Sequence, residues 1–371
     1  MTDEQKEPID NEALGELRDK IDDVDRRLIE LLNTRAKLVV DVGKLKRGKG
    51  IPIYAPHREA AVLAKVIGLN EGPLPERTIE AIYREMMSGS FFLEQPLRIG
   101  YLGPKGSYCH IAAMRHFGSS VEFEDLRAAE GAFVEVARGH VDYALAPIEN
   151  TTGGGITETL DAFARYHDSV NIYGEVQLEV HRCLLSNAQP HEINRIYATR
   201  SVFGYCRKWL AVQFPHAELH ETASTTDAVG KAIGDGADHS AAIGSALAGE
   251  IHGLHVLFPD IEDEPNNITR FLILSKQKAL PSGNDKTSIM FTTTDKSGAL
   301  VAVLSVFDNA GINLTHIDKR PSGRLNWEYK FFIDAQGHRD DPSFASVIDD
   351  ARSHCRELTE LGSYPVSRRV L

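Results

Sequence analysis

The stretch LGELRDKIDDVDRRLIELLNTRAKLVVDVGKLK, residues 14–46, decides the architecture of the first part of this 371-residue chain. Apolar residues recur in it at two heptad positions, which is typical of a helix that packs along a seam. Arg35 occupies one of these positions, where a buried guanidinium needs an anion. At 1.5 Å per residue the helix would be about 50 Å long, more than a domain of roughly 90 residues spans. We therefore expect a second chain to cover part of it.

The composition is that of an ordinary globular protein, with 42% hydrophobic and 25% charged residues. A net charge of −12 argues against a general role in nucleic-acid binding. The acidic N-terminus lacks an apolar signal core and no later stretch approaches ~18 uninterrupted apolar residues, so we expect neither export nor membrane spanning. The cysteines have no metal-ligand or disulfide spacing, and we interpret them as free thiols in a cytoplasm: Cys109, Cys183, Cys206 and Cys355.

Periodicity changes twice along the chain and predicts three units, at residues 1–96, 97–277 and 278–371. The first is all-α, with the long helix, a break at residues 48–50, a second helix from about Pro56 and a third after Pro75. The second alternates short apolar strands with helices and is therefore α/β. After a linker near residues 276–285, the third follows the order of an α+β ferredoxin-like unit, with a last helix at residues 343–358 and a short final strand.

The helical unit carries a set of polar side chains that could surround a small dianion. Arg35 and Lys46 are eleven residues apart, so on one helix they point within about 20° of each other, whereas Arg18 lies roughly 100° away. Arg18 and Lys46 could equally belong to a solvated face. The second and third helices add four polar side chains: Arg58, Glu59, Ser90 and Glu94.

The runs LRDKID (17–22), LLNTR (31–35), VGKLK (42–46) and RE (58–59) resemble the all-helical type of chorismate mutase. In that family two chains interlock through the long helix, and one arginine of the partner completes each pocket. The resemblance implies that Arg18 is the arginine lent to the partner and that Glu59 meets the substrate hydroxyl. The substrate carboxylates and ether oxygen would be held by Arg35, Lys46 and Arg58. The polar pair of the third helix would be Ser90 and Glu94, and Glu94 would donate a hydrogen bond to the ether oxygen.

Three runs of the second unit carry side chains suited to catalysis or binding. GPKGSY (103–108) follows a strand and precedes a helix, so its amides could receive an anion, although a plain tight turn explains it equally well. PIENTTGGG (147–155) presents a carboxylate, an amide and two hydroxyls beside a glycine-rich loop. NITRF (267–271) places a hydroxyl and a cation at the start of a strand, where a surface ion pair would be the ordinary interpretation of Arg270.

Together these runs resemble prephenate dehydratase over about residues 98–275. That family has two α/β lobes like those of periplasmic binding proteins, with the active site in the cleft between them. The resemblance implies that Thr269 is the catalytic hydroxyl, while Arg270 could anchor a substrate carboxylate or fix the strand. It also implies that Glu149 is a second catalytic group. The substrate-binding positions of the cleft would be Asn150, Thr151, Ser224 and Thr225. The run ATRS (198–201) departs from the family's Ser-His-Pro-Gln and is left out of the site.

The third unit resembles the ACT regulatory domain. GALV (298–301) opens its first helix as in the family's phenylalanine motif, and DKRP (318–321) stands where the second motif is usually Glu-Ser-Arg-Pro. The resemblance implies that L-phenylalanine binds between paired ACT domains. The effector-binding positions would be Gly298, Ala299, Leu300, Val301, Asp318, Arg320 and Pro321.

The three resemblances imply a bifunctional enzyme that rearranges chorismate to prephenate, converts prephenate to phenylpyruvate and is inhibited by phenylalanine. We expect a homodimer or a dimer of dimers, with no nucleic-acid or membrane partner. Neither metal nor cofactor is expected, because no Cys/His ligand set or dinucleotide fingerprint appears. Two other interpretations stay open: a prephenate or arogenate dehydratase with a vestigial mutase unit, and a non-catalytic amino-acid sensor, which would have no need of two anion pockets.

Overall fold

The N-terminal unit consists of three helices in the computed structural model, which describes residues 11–47, 51–235, 239–322 and 328–371. The helices are α1 (Asn11–Arg47), α2 (Pro56–Gly68) and α3 (Glu76–Glu94), as the sequence predicts. Pro56 and Pro75 stand at the starts of α2 and α3, where a missing N–H costs no helical hydrogen bond. The predicted break at residues 48–50 lies outside the described residues. Although α1 has 37 residues, no helix in the described ranges is long and apolar enough to cross a membrane.

Two α/β lobes follow, as predicted. The first lobe contains β1 (Arg98–Leu102), α4 (Tyr108–Phe117), β2 (Glu122–Leu126), α5 (Ala129–Arg138), β3 (Tyr143–Asn150), β4 (Gly154–Gly155), α6 (Thr157–Tyr166) and β5 (Asn171–Glu179). The second contains β6 (Cys183–Ser186), β7 (Arg195–Ala198), α7 (Arg200–Tyr205), α8 (Arg207–Gln213), β8 (Glu218–Glu221), α9 (Thr225–Gly234), β9 (Ser240–Gly244), α10 (Ala246–His252) and β10 (His255–Phe258). The chain then returns to the first lobe as β11 (Ile268–Ser275).

Strand β11 lies inside the first sheet, whose order is β2-β1-β3-β11-β5 with β4 beside β3. The second sheet has the order β10-β6-β9-β7-β8. The lobes touch where Ser245 donates a hydrogen bond of 2.6 Å to the carbonyl oxygen of Gly106. A side chain at Gly106 would come within 2.9 Å of the Ala248 backbone, and its φ of +85° also favours glycine.

The third unit has the predicted ferredoxin-like topology, with the antiparallel order β13-β14-β12-β15. Its elements are β12 (Asp285–Thr292), α11 (Ala299–Asn309), β13 (Leu314–Pro321), β14 (Tyr329–Gln336), α12 (Pro342–Ser353) and β15 (Glu357–Pro365). The predicted end of the last helix is wrong, because α12 stops at Ser353 and the final strand has nine residues. The buried residues Leu358, Leu361 and Tyr364 recur every three positions, which resembles a helix period. The pairing of β15 with β12 shifts register at Leu361, which allows that spacing in a strand.

All three units contribute side chains to one large hydrophobic core. Tyr54, from the segment between α1 and α2, is 1% exposed, and the Tyr143 and Tyr173 hydroxyls of the first lobe donate to its carbonyl oxygen at 3.3 and 3.0 Å. Met290 and Tyr364 of the ferredoxin-like unit pack into the same core. The predicted unit boundaries fall in segments between elements. The second lobe and the ferredoxin-like unit have hydrophobic cores of their own, and the shared core joins the units to each other.

Candidate active sites

An open cavity of about 750 Å³ lies on the helical unit. Its lining includes all six polar positions predicted to act within one chain: Arg35, Lys46, Arg58, Glu59, Ser90 and Glu94. Arg18 is not among the described residues that line it, as expected from its different direction on α1. The three helices therefore bring three cations and two carboxylates to one place.

The cations of this cavity are only partly compensated by the protein. Arg35 was expected to meet an anion, but its Nη1 donates to the Ser90 hydroxyl at 3.0 Å, and Ser90 in turn donates to the Met86 carbonyl oxygen. Lys46 Nζ lies 3.2 Å from the carbonyl oxygen of Ile53 and 3.5 Å from Glu94 Oε2. Positive charge is thus left for an anionic ligand.

Glu94 is buried at the cavity wall, and its Oε2 has no hydrogen-bond partner among the described residues. A buried carboxyl oxygen without a partner costs free energy unless a ligand or a proton satisfies it. The arrangement therefore suits a Glu94 that exchanges a hydrogen bond with a bound molecule.

Glu59 connects the cavity to the first α/β lobe. Its Oε1 lies 3.4 Å from Nη1 of Arg84, which also donates to the carbonyl oxygen of His116 at 2.8 Å. Burial raises the pKa of Glu59, although Arg84 opposes this effect. Burial, together with Arg84, lowers the pKa of His116 well below its usual range, so the 3.8 Å contact between His116 and Glu59 joins a neutral ring to the carboxyl group. Arg84 and His116 could not be identified from the sequence, because no motif links helices of two different units.

The second candidate site centres on the start of β11. Thr269 pairs with Asn150 of β3 and Leu178 of β5, and it is half-buried. No described group is hydrogen-bonded to its hydroxyl. Because successive side chains of a strand point to opposite faces, Thr269 points away from the face that holds the Arg270 guanidinium. The free hydroxyl can therefore donate a proton or a hydrogen bond to a ligand.

The neighbouring Asn150 and Thr151 brace the loop after β3. Asn150 Oδ1 accepts hydrogen bonds from the backbone N–H groups of Thr152 and Gly153. Thr151 donates to the carbonyl oxygen of Asn266 at 2.7 Å and accepts from the N–H of Ile268. These bonds fix the loop after β3 against the backbone that leads into Thr269.

Arg270 is held entirely by protein groups. Its side chain is 6% exposed and lies between Glu149, at 2.7 Å from Nη1, and Glu175, at 2.7 Å from Nε. Nη2 donates to the Tyr364 hydroxyl and pairs with Asp334, both in the ferredoxin-like unit. Of the two roles left open by the sequence, fixing the strand fits this geometry. The expectation that Arg270 binds substrate is not supported, because the guanidinium has no free face.

Glu149 also contacts the ferredoxin-like unit, through His316 on β13 at 2.7 Å. Burial alone would raise the pKa of Glu149, but hydrogen bonds from His316 and Arg270 outweigh it and lower the pKa to about 2. Burial lowers the pKa of His316, yet Glu149 more than compensates and raises it above its usual range. Glu149 is therefore an ionised positioning group, whereas the sequence predicted it to be catalytic.

The remaining predicted positions lie at helix starts. Ser224 caps α9 by accepting from the N–H of Asp227 at 3.1 Å, and Thr225 is the first residue of that helix. In the run 103–108, Ser107 caps α4 and the N–H of Gly106 is bonded to His110, so the tight-turn interpretation holds. In the run 198–201, which was left out of the site, Thr199 caps α7.

The predicted effector positions occupy two elements of the third unit. Gly298, Ala299, Leu300 and Val301 form the start of α11, and Asp318, Arg320 and Pro321 lie on β13. Arg320 forms two hydrogen bonds to Asp161 of α6, at 2.9 and 2.8 Å. Strand β13 is thus attached to the first lobe at both His316 and Arg320. No pattern in the sequence identified Asp161 as a partner of β13.

Comparisons with known proteins cover all three units. Family models match as chorismate mutase type II at residues 17–95, prephenate dehydratase at residues 99–279 and ACT domain at residues 287–352. The bifunctional chorismate mutase/prephenate dehydratase of Pseudomonas aeruginosa is 40% identical over 96% of this chain and 98% of its own. That of Escherichia coli is 32% identical over 94% and 95%. A prephenate dehydratase from Arthrobacter aurescens, solved in complex with L-Phe, is 33% identical with a TM-score of 0.67, covering 72% of this chain and 90% of that one.

Proposed function

This chain belongs to the bifunctional chorismate mutase/prephenate dehydratase family, and from that membership we propose how its two sites divide the work. The helical unit rearranges chorismate to prephenate, and the two-lobed unit converts prephenate to phenylpyruvate. The observation that carries the proposal is the presence of two separate sets of polar side chains, around Arg35 and around Thr269, in the regions that match the two catalytic family models.

For the rearrangement the enzyme needs no nucleophile. A [3,3] shift requires chorismate in its compact conformer and positive charge facing the ether oxygen, where negative charge develops in the transition state. Arg35 and Arg58 bind the carboxylates, and Lys46 faces the ether oxygen. Glu94, when protonated, donates a second hydrogen bond to that oxygen, and Glu59 receives the substrate hydroxyl. Support comes from their convergence in one cavity.

For the dehydration, prephenate loses carbon dioxide and its ring hydroxyl, and aromatisation drives the reaction. The electrons of the breaking carbon–carbon bond enter the ring, and the hydroxyl leaves as water once it has received a proton. Thr269 is the proposed donor, since its hydroxyl has no partner among the described residues. Asn150, Thr151, Ser224 and Thr225 shape the cleft around the substrate.

Phenylalanine, formed from phenylpyruvate, restrains the enzyme through the ACT domain. The effector binds at the start of α11 and at β13 of paired domains, and the contacts of β13 with the first lobe carry its effect to β3 and β11. The related dehydratase that was solved with L-Phe supports this assignment of the ligand.

The mutase site is completed by a second copy of the chain. The α1 seam is unusually apolar for a surface, with Leu31, Leu38 and Leu45 each more than 60% exposed in the single chain. A second long helix would cover these side chains and bring its own Arg18 to the cavity. A homodimer acting in the cytoplasm, where the cysteines stay free thiols, is therefore proposed.

The decisive experiment incubates the purified full-length chain with chorismate and follows prephenate and phenylpyruvate separately. We expect prephenate to appear first and phenylpyruvate to follow. Phenylpyruvate from added prephenate but not from chorismate would mean a vestigial mutase unit. Turnover of neither substrate would overturn the proposal.

A further inference from the structure

The segment between the dehydratase region and the ACT domain reaches the mutase cavity. Gln277, Lys278 and Leu280, which follow β11, line the same cavity as Arg35 and Lys46. Tyr173, on strand β5 of the first lobe, lines it as well. The wall of the cavity is therefore not confined to the three mutase helices.

This segment is anchored on both sides of Lys278. The N–H of Gln277 donates to the Ser275 hydroxyl at 3.2 Å, and Asn171 donates to the carbonyl oxygen of Lys276. Ala279 is 4% exposed, and its carbonyl oxygen lies 3.2 Å from Nε2 of His338. The backbone of Lys278 is thus held in place while its side chain stays exposed at the cavity.

The ammonium group of Lys278 has no ion-pair or hydrogen-bond partner among the described residues. By contrast, the two carboxylates of the cavity are already close to protein cations, Glu94 to Lys46 and Glu59 to Arg84. Lys278 is therefore a cation at the cavity that no protein carboxylate neutralises.

We propose that Lys278, although it lies outside the mutase helices, binds a carboxylate of the mutase substrate. The inference rests on the proposed function and adds a residue to its site. Chorismate keeps both carboxylates through the rearrangement, so Lys278 stabilises bound substrate and transition state alike. Such uniform binding lowers KM and leaves kcat nearly unchanged.

Lys276 provides a matched control. It has the same side chain two residues earlier, but its ammonium lies beside Gly139 of the first lobe and not in the cavity. Charge reversal at either position changes the net charge of the chain equally. Comparing Lys278→Glu with Lys276→Glu therefore distinguishes a direct contact with the substrate from a general electrostatic attraction of the dianion by the protein.

The experiment measures initial rates of chorismate loss for full-length wild-type, Lys278→Ala, Lys278→Glu, Lys278→Arg and Lys276→Glu proteins. We expect KM for chorismate to rise about threefold in Lys278→Ala and about tenfold in Lys278→Glu, with kcat within twofold. Lys278→Arg should restore KM, and Lys276→Glu should leave it within twofold. The increase should shrink at high ionic strength, because salt screens an exposed charge.

Equal KM values for Lys278→Glu and Lys276→Glu would overturn the proposal, as would a Lys278→Arg variant as impaired as Lys278→Ala. Prephenate turnover by the same preparations reports whether each variant is folded. A wild-type protein unable to consume chorismate would contradict the proposed function itself, whereas an active wild type with an unaffected Lys278→Glu variant would contradict only the role of Lys278.

Discussion

Nδ1 of His316, on the ACT strand β13, lies 2.7 Å from Oε2 of Glu149, at the end of β3 in the dehydratase region. The other carboxylate oxygen of Glu149 accepts from Arg270, which directly follows Thr269. A side chain of the regulatory domain is therefore two hydrogen bonds away from the strand that carries the proposed proton donor. Movement of β13 on effector binding would act on this strand through Glu149.

The pair of His316 and Glu149 predicts a pH-dependent stability. Because folding raises the pKa of His316, its protonated ring stabilises the fold fully below pH 6.5, the ordinary pKa of histidine. This stabilisation is lost as the pH rises through the higher pKa of the folded protein. Because folding lowers the pKa of Glu149 to about 2, its carboxylate stabilises the fold fully above pH 4.5, the ordinary pKa of glutamate. This stabilisation is lost as the pH falls towards 2. We expect His316→Gln to reduce the free energy of unfolding most between pH 4.5 and 6.5, by about 3 kcal/mol.

Urea denaturation at a series of pH values measures this difference. His140→Gln serves as the control, since His140 also meets a carboxylate, Glu135 at 2.6 Å, but its side chain is 62% exposed. The prediction would be contradicted if His316→Gln lowered the free energy of unfolding by the same amount at pH 5 and at pH 9.

Thr269→Ala should lower kcat/KM for prephenate by about 100-fold or more, because a positioned proton donor contributes on that order. Thr269→Ser keeps a hydroxyl and should recover much of the loss. Chorismate consumption, measured on the same samples, should stay near wild type. If the serine variant is as inactive as the alanine variant while both remain folded, Thr269 is not the donor.

Arg18→Ala and Arg35→Ala should each abolish most mutase activity when prepared alone. Mixed and allowed to exchange subunits, they should regain part of it. In a heterodimer the Arg18→Ala chain keeps an intact Arg35 pocket and receives Arg18 from the Arg35→Ala chain, which gives one complete site, whereas the other site lacks both arginines. Chorismate loss before and after exchange is the measurement. No recovery after exchange has been verified by mass would mean that the pocket is not shared.

Glu94→Gln should change the pH profile of the mutase. A carboxyl group donates a hydrogen bond only when protonated, whereas an amide donates at every pH. We expect wild-type kcat to fall as the pH rises and the glutamine variant to stay level on the alkaline side. Superimposable profiles for the two proteins would exclude Glu94 as the donor.

Arg320 and Asp161 should act together in the response to phenylalanine, since they form a two-point contact between β13 and α6. We expect either alanine variant to raise the phenylalanine concentration for half-inhibition of the dehydratase about fivefold, with little further increase in the double variant. An Asp161→Ala variant with wild-type inhibition, beside an impaired Arg320→Ala variant, would mean that Arg320 acts on the ligand alone.

Local patterns in the sequence determined the elements and much of the candidate sites. Heptad spacing predicted α1, strand-helix alternation predicted the two lobes, and the element order predicted the ferredoxin-like unit. The sequence also allowed the six polar positions of the mutase unit to be assigned to one site, because they follow helix periodicity within that unit. All six line the cavity. These features depend on neighbours a few residues apart, which the sequence displays directly.

Only the tertiary structure decided which distant segments meet. Arg270 has ion-pair partners that lie about 60 to 120 residues away in the sequence. Because these partners surround its guanidinium, Arg270 fixes the strand, whereas the sequence also allowed it to bind substrate. Tyr54 enters the core of another unit, and Lys278 reaches a cavity built by helices more than 180 residues earlier. No local periodicity predicts such contacts, because which side chains become buried or paired with a charge depends on how the surfaces of the units pack against each other.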